Sequence, residues 1–236
     1  MQQETTDAFV LHSRPFKETS LILHCFTQNF GLISVVAKGI KRKNAQAKRA
    51  ILQPFNLLKL EFTGRGELKT LCESELIRFA NQPIGNALAC CYYLNELTLR
   101  SLKEWQEHPE LFNVYLELIQ LFNTCNNEEM PRLLRNYELS LISLLGLSPD
   151  WNYDTNDDLI DENQFYEYVS ETGFRRIELK EKNASQNNYS GKTLLAISNR
   201  DFLNINLKEC QRITQKLIRP LIGNRPLESR KMWMPN

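Results

Sequence analysis

The hydrophobic period of the chain changes once, at Asn81-Gln82-Pro83. Before that point apolar residues fall in short β-branched and aromatic runs with partial alternation, and after it they recur at intervals of three and four, the spacings of strands and of amphipathic helices respectively. Strands followed by helices point to an α+β, multi-domain fold. The 236 residues suffice for one large domain or two modest ones, and the switch divides them into 1–80 and 81–236.

In the first part Thr5 to Ser13 reads as a strand and Arg14-Pro15-Phe16-Lys17-Glu18 as the turn that interrupts it. Ser20 to Thr27, Gly31 to Ala37, Phe55 to Phe62 and Glu67 to Leu76 follow, separated by Gln28-Asn29-Phe30-Gly31, by a long basic segment and by Thr63-Gly64-Arg65-Gly66. Five short strands with glycine-containing turns fit a small closed barrel such as the oligonucleotide-binding (OB) fold; an SH3-like barrel would give a similar pattern.

The basic segment carries the clearest functional signal. Lys38, Lys41, Arg42, Lys43, Lys48 and Arg49 place six positive charges in twelve residues without one acid. A cationic loop held between strands can follow a nucleic-acid backbone and displace its counterions. The plainer alternative is a solvated charge run, but decorative surfaces usually intersperse both signs. The overall net charge of +1 conceals the asymmetry: residues 1–80 carry twelve Lys and Arg against seven Asp and Glu, and the remainder seventeen against twenty-one.

Beyond Pro83 the first helix runs to Glu104 with a face of Ala87, Cys91, Leu94, Leu97 and Leu102. His108-Pro109 opens a second through Phe112, Tyr115, Leu116, Ile119 and Phe122, and Met130-Pro131 a third, ended by Gly146. In the third, Leu133, Leu134, Tyr137, Leu141 and Leu144 or Leu145 point to a core, while Arg132 and Arg135, three apart, share another face. The plain reading of these two arginines is that they pair with acids such as Glu128 or Glu129. Pro149 to Glu162 is an acidic loop that fails the calcium-loop pattern at its sixth and twelfth positions. Phe165 to Leu179 reads as a hairpin turning at Glu171-Thr172-Gly173. Ser190-Gly191-Lys192-Thr193 resembles the end of a phosphate-binding loop, but Gln186 stands where that loop requires glycine, so Ser190 reads as a helix cap. The last helix, Asn206 to Ile222, has a stripe of Leu207, Cys210, Thr214, Leu217 and Leu221, with Lys208, Arg212, Lys216 and Arg219 on another side as a secondary basic face; Gly223-Asn224 stops it.

Six cysteines show no C-x-x-C and no framework spacing, which points to buried reduced thiols rather than zinc or disulfides. No secretory or membrane-spanning run is seen, so a cytoplasmic protein is expected, and the triplets Asn183-Ala184-Ser185 and Asn188-Tyr189-Ser190 count as chance glycosylation matches. His12, His24 and His108 are isolated in sequence, and no constellation supports catalysis. No enzyme activity, cofactor or metal is expected.

Three pieces of the chain resemble the bacterial RecO family of DNA repair and recombination mediators. They are Ala8-Phe9-Val10-Leu11 leading to Lys17-Glu18-Thr19-Ser20 and Phe30-Gly31; Val36-Ala37-Lys38-Gly39 with its basic loop and Leu52-Gln53-Pro54-Phe55; and Arg219-Pro220-Leu221-Ile222-Gly223 through Pro226-Leu227 to Ser229-Arg230. The resemblance implies an N-terminal OB barrel joined to a helical domain. Many relatives carry a four-cysteine zinc element in the helical part; the corresponding stretch here, about 150–176, has no cysteine, so the resemblance implies at most a hairpin packed by Phe165, Tyr166, Tyr168 and Phe174, without zinc. It further implies a nucleoid-associated monomer that binds single- and double-stranded DNA, anneals strands coated by single-stranded DNA-binding protein (SSB), and with RecR helps RecA displace that coat. The SSB tail, acidic and ending in Pro-Phe, then finds a candidate receptor in Arg132, Leu133, Leu134, Arg135 and Tyr137. The rival reading is an RNA-binding barrel protein with the same electrostatics.

Overall fold

The computed structural model describes residues 3–80, 83–178, 187–223 and 225–232. The boundary pair Asn81-Gln82, the triplet Asn183-Ala184-Ser185, Gln186 and Asn224 lie outside the described residues.

Strands β1 (Glu4–Phe16), β2 (Ser20–Thr27), β3 (Gly31–Ala37), β4 (Leu57–Thr63) and β5 (Leu68–Arg78) close into a barrel in the order β1-β2-β3-β5-β4. All pairs are antiparallel except β3 with β5. Alternation sends Leu23 and Cys25, Ile33, Val35 and Ala37, and Leu58, Leu60 and Phe62 into one buried interior. The expected turn at Arg14–Glu18 is instead the end of a longer β1, and the reversal is confined to Lys17–Thr19. Proline is tolerated there because β4 pairs only with Glu4–Phe9, so Pro15 has a neighbour strand on one side alone. Strand β4 starts two residues later than expected, since Phe55 takes φ +72° and the Asn56 amide bridges Ile51 O at 3.0 Å and Ala80 N at 2.9 Å.

The outer face of the barrel is also packed. Helices α2 (Gly85–Ser101) and α3 (Pro109–Leu121) lie in the same compact unit, which runs to Met130 and resumes at Arg225. Phe9 and Phe26, outward on β1 and β2, meet Phe112 and Tyr115 of α3 with ring centroids 4.9–5.9 Å apart. Buried Asn95 of α2 donates to Leu11 O at 2.9 Å and accepts from the Tyr115 hydroxyl. The returning segment is held by Glu96, which accepts from Glu228 N and from the backbone and hydroxyl of Ser229 at 2.8–3.0 Å. Arg100 donates to Pro226 O at 3.2 Å and to Arg225 O at 2.6 Å. Burial is the largest single influence on the Glu96 carboxyl and raises its pKa, but the hydrogen bonds from Ser229, Glu228 and Arg100 together outweigh it and hold the group below its ordinary value. The compact units therefore divide differently from the sequence halves 1–80 and 81–236.

The second unit, starting at Pro131, contains most of α4 (Met130–Leu144), a sheet of β6 (Phe165–Val169), β7 (Gly173–Ile177) and β8 (Asn188–Ser190) in the order β7-β6-β8, and helices α5 (Gly191–Ser198) and α6 (Leu207–Ile222). Three-residue β8 joins the expected hairpin as an unforeseen third strand. Ser190 caps α5, its side chain accepting from Thr193 N at 3.3 Å. The buried stripe of α6 is Cys210, Ile213, Thr214, Leu217 and Ile218, whereas Leu207 and Leu221 are only half-buried. All six cysteines are thiols, four buried and two half-buried, and burial pushes Cys25 up to about 12. Among the described residues no helix is long and apolar enough to cross a membrane.

Gly31 begins β3 at φ +66°, and a Cβ there would sit 1.8 Å from Gln106 O. Gly31→Ala is therefore expected to destabilise the fold by about 2–4 kcal/mol, adding backbone strain to a clash with main chain; the urea midpoint measures it.

Candidate nucleic-acid interface

The basic segment between β3 and β4 is not an irregular loop. A turn at Lys38–Arg42 leads into a 3₁₀ turn, Lys43–Ala45, and a six-residue helix, α1 (Gln46–Ile51). Ile40 and Leu52 are buried in the barrel core and Ile51 packs against it, so the apolar residues between the cations anchor the segment over one end of the barrel. The backbone N–H of Lys41 bonds Thr19 O at 3.1 Å, and its ammonium approaches Lys17 O at 3.5 Å, which fastens the segment to the β1–β2 turn. Lys38 and Arg42 are exposed, and Lys41, Lys48 and Arg49 are half-buried; the side chain of Lys43 lies outside the description. Lys48 and Arg49 occupy the last turn of α1, where backbone carbonyls favour cations. Lys38, Lys41, Arg42, Lys48 and Arg49 form no ion pair with an acid among the described residues. They remain available to an external anion.

In OB folds the face of strands 2 and 3 and the adjoining loops take up oligonucleotides. Here α3 occupies one end of that face through Phe26, and the loop after α2 covers Leu32, with Trp105 N bonded to Leu32 O at 3.0 Å. Period-two alternation could place Phe26 outward, but no local signal reveals that a helix more than eighty residues later in the chain covers it.

The other expected sites change more. In α4 Arg132 and Leu133 are half-buried, while Leu134 and Tyr137 are core residues. Arg135 does not share a surface with Arg132: it is 6% exposed and donates to Glu138, itself 0% exposed, at 2.6 Å. The second carboxylate oxygen of Glu138 accepts from the buried Thr214 hydroxyl. The acid partner is thus Glu138, one turn on, rather than Glu128 or Glu129. The secondary basic face stays at the surface, with Arg212 half-buried and Lys216 exposed, but both side chains are engaged by the small sheet and the segment before it. Arg212 donates to Asn188 O at 3.0 Å and lies 5.8 Å from the Tyr189 ring. Lys216 bonds Asn187 Oδ1 at 2.5 Å and Tyr168 O at 3.3 Å. Arg219 is exposed.

The stretch corresponding to the zinc element is organised without suitable ligands. Phe174 packs against Trp151, Tyr168 and Tyr189 at centroid distances of 5.4, 5.6 and 6.2 Å. Tyr166 is buried too, whereas Phe165, expected to pack with them, is 36% exposed. Among the described residues no three His, Cys, Asp or Glu side chains are grouped to hold a metal, and the residues present do not fit zinc.

A five-stranded barrel of this topology, here with a cationic segment fixed across one end, is of the OB type. The family model for the recombination protein O N terminal matches residues 1–80, and that for the C terminal residues 84–231. The DNA repair protein RecO of Photobacterium profundum is 35% identical over 229 residues, 96% of this chain and 94% of its own length. That of Salmonella dublin is 36% identical over 228 residues, covering 96% and 92%, and that of Alteromonas mediterranea 32% over 235 residues, covering 99% and 98%. The chain belongs to the RecO family of DNA repair and recombination proteins.

Removing one partner of a buried ion pair strands the other charge. Arg135→Ala is expected to cost about 3–5 kcal/mol of stability in denaturant unfolding, and Arg132→Ala about 0.5 kcal/mol or less; equal small effects would mean that Arg135 faces solvent.

Proposed function

We propose that this chain is a DNA-binding recombination mediator, which anneals complementary single strands and, together with RecR, helps load RecA onto SSB-coated DNA. The observation that carries the reading is the basic segment fixed over the barrel end by Ile40 and Leu52, with Lys38, Lys41, Arg42, Lys48 and Arg49 unpaired by described acids. Annealing requires no bond chemistry. It requires that repulsion between two phosphate backbones be screened while base edges stay open to pair, and a cationic surface that contacts phosphate alone does this without reading sequence. Membership of a family whose relatives are called DNA repair proteins supports DNA as the polyanion.

The proposed partner SSB offers an acidic tail. Of the five residues expected to receive it, Arg132 and Leu133 are the two that are not buried, and they form the reduced receptor of this proposal.

If all six cations of the segment touch phosphate, the log–log salt slope of binding is about −4 on single strands and about −5 on duplex. Changing Lys41, Arg42 and Lys43 together to Ala is expected to weaken binding to all sequences alike and to flatten the single-strand slope by about 2. Fluorescence titrations with matched DNA and RNA strands across a salt series provide the measurement. Unchanged binding at moderate salt removes the segment from the interface, and tighter binding to RNA favours the rival reading.

A further inference from the structure

The antiparallel register arranges β1, β2 and β3 in rows. His12 lies opposite His24, and His24 opposite Ser34; the next row is Arg14, Ile22 and Val36. Because Cys25 and Leu23 point into the barrel, their neighbours His24 and Ile22 point out. Lys38, two residues beyond Val36, continues the same path into the basic segment. The strip has a buried floor of Ile22, Val36 and Ser34, and a rim formed by His12, Arg14 and Lys38, all exposed, beside half-buried His24. Its far end is the β1–β2 turn, to which Lys41 is bonded. The cationic surface of the segment is thus continuous with strands carrying two histidines.

We propose that His12, His24 and Arg14 extend the nucleic-acid track of the basic segment along β1 and β2, as a phosphate-contacting position that protonation of His24 strengthens. The inference rests on the DNA-binding reading above and adds to it a titratable contact.

The hydrogen bonds around His24 decide where its proton is taken up. The Ser34 hydroxyl donates its one hydrogen to Glu104 Oε1 at 2.7 Å. Its oxygen, 3.0 Å from His24 Nδ1, then accepts, so Nδ1 carries the hydrogen of the neutral ring and Nε2 is the basic nitrogen. The two imidazoles stack across the strands with centroids 6.0 Å apart and planes at 30°. Burial, His12 and Arg14 hold the His24 pKa below 6.5, and Glu104 opposes them. Around His12 the charged groups lining the adjacent cleft are Glu96, Arg100, Arg225 and Glu228. Both acids are engaged, Glu96 with Ser229 and Arg100, and Glu228 with Lys231 and Arg225.

The sign of the coupling follows. In the protein alone the charged form of His24 is disfavoured, so the ring is neutral at about pH 7.5. A phosphate laid beside Arg14 offsets the two repulsions, raises the His24 pKa and makes binding take up protons. By reciprocity affinity then rises as pH falls. The chain has only three histidines; His108 is buried, with its own pKa lowered by burial, so the strip accounts for the change between about pH 7.5 and about pH 5.5.

The test is binding of the full chain to fluorescent oligothymidylate, whose bases do not titrate in this range, at both pH values and several salt concentrations. Wild type is expected to bind about two- to fivefold more tightly at the lower pH, through protonation of His24. Its salt slope should steepen by about 0.7 for each added phosphate contact. The His12→Gln, His24→Gln double variant should keep the affinity at the higher pH and lose both changes. Salt-sensitive binding without a pH response, or a response that survives in the double variant, overturns this inference and leaves the DNA-binding reading standing. Absence of salt-sensitive binding at either pH overturns both. Should the double variant fold poorly by circular dichroism, calorimetry of wild type at about pH 6.5 in two buffers of different ionisation heat decides: proton uptake on binding supports the strip, and none overturns it.

Discussion

Phe9 and Phe26 point outward from their strands and are still buried, because Phe112 and Tyr115 close over them and Asn95 ties α2 to β1 through Leu11 O. Much of the rest depends on this contact. A barrel with a bare outer face could receive a ligand anywhere along strands 2 and 3; this one has part of that face closed by its own helix. What stays open lies toward the β1–β2 turn, where Lys17, Lys41 and Lys38 collect. A buried aromatic cluster thereby determines where a polyanion can approach, although none of its members carries charge.

The five strands, the change of period near residue 80 and the helix starts at Pro109 and Pro131 were legible because each has a local physical cause: alternation, or a ring that lacks an N–H where none is needed. The β1 boundary was not. Arg14-Pro15 has the composition of a turn, and only the absence of a second partner strand beyond Phe9 makes it compatible with a strand. The basic segment was visible as charge, but its helix α1 was not, since six residues give no period to read. Arg135 shows the limit for sites. Its spacing from Arg132 suggests a shared surface, whereas its environment is set by Glu138 and by Thr214, seventy-nine positions away in the chain. Tertiary burial overrides helical spacing there, and tertiary hydrogen bonds redirect Arg212 and Lys216 toward Asn188 O and Asn187 Oδ1.

That sheet illustrates how one kind of organisation can replace another. A zinc element fixes loops by drawing thiolates to one point. Here Asp154, 7% exposed, takes hydrogen bonds from Asn156 N at 2.8 Å and Asp158 N at 3.1 Å. Phe174, carried on β7, gathers three aromatic rings around itself. A carboxylate bonding the loop backbone and a cluster of tilted and edge-on rings around Phe174 give the segment a centre built from side chains.

The bonds from Glu96 and Arg100 to residues 225–229 bear on how the protein is made. The first compact unit is discontinuous in the chain, with everything from Pro131 onward intervening before its last segment. On a ribosome, which releases the N-terminal part first, barrel and helices can assemble early, yet the Glu96 carboxylate waits for Ser229 until the whole of the second unit has been made. A nascent chain that has not reached residue 225 therefore exposes an unengaged acid and an unfilled place for Leu227, 2% exposed once folded. Quality-control proteases could tell such a chain from one in which residues 225–229 have docked.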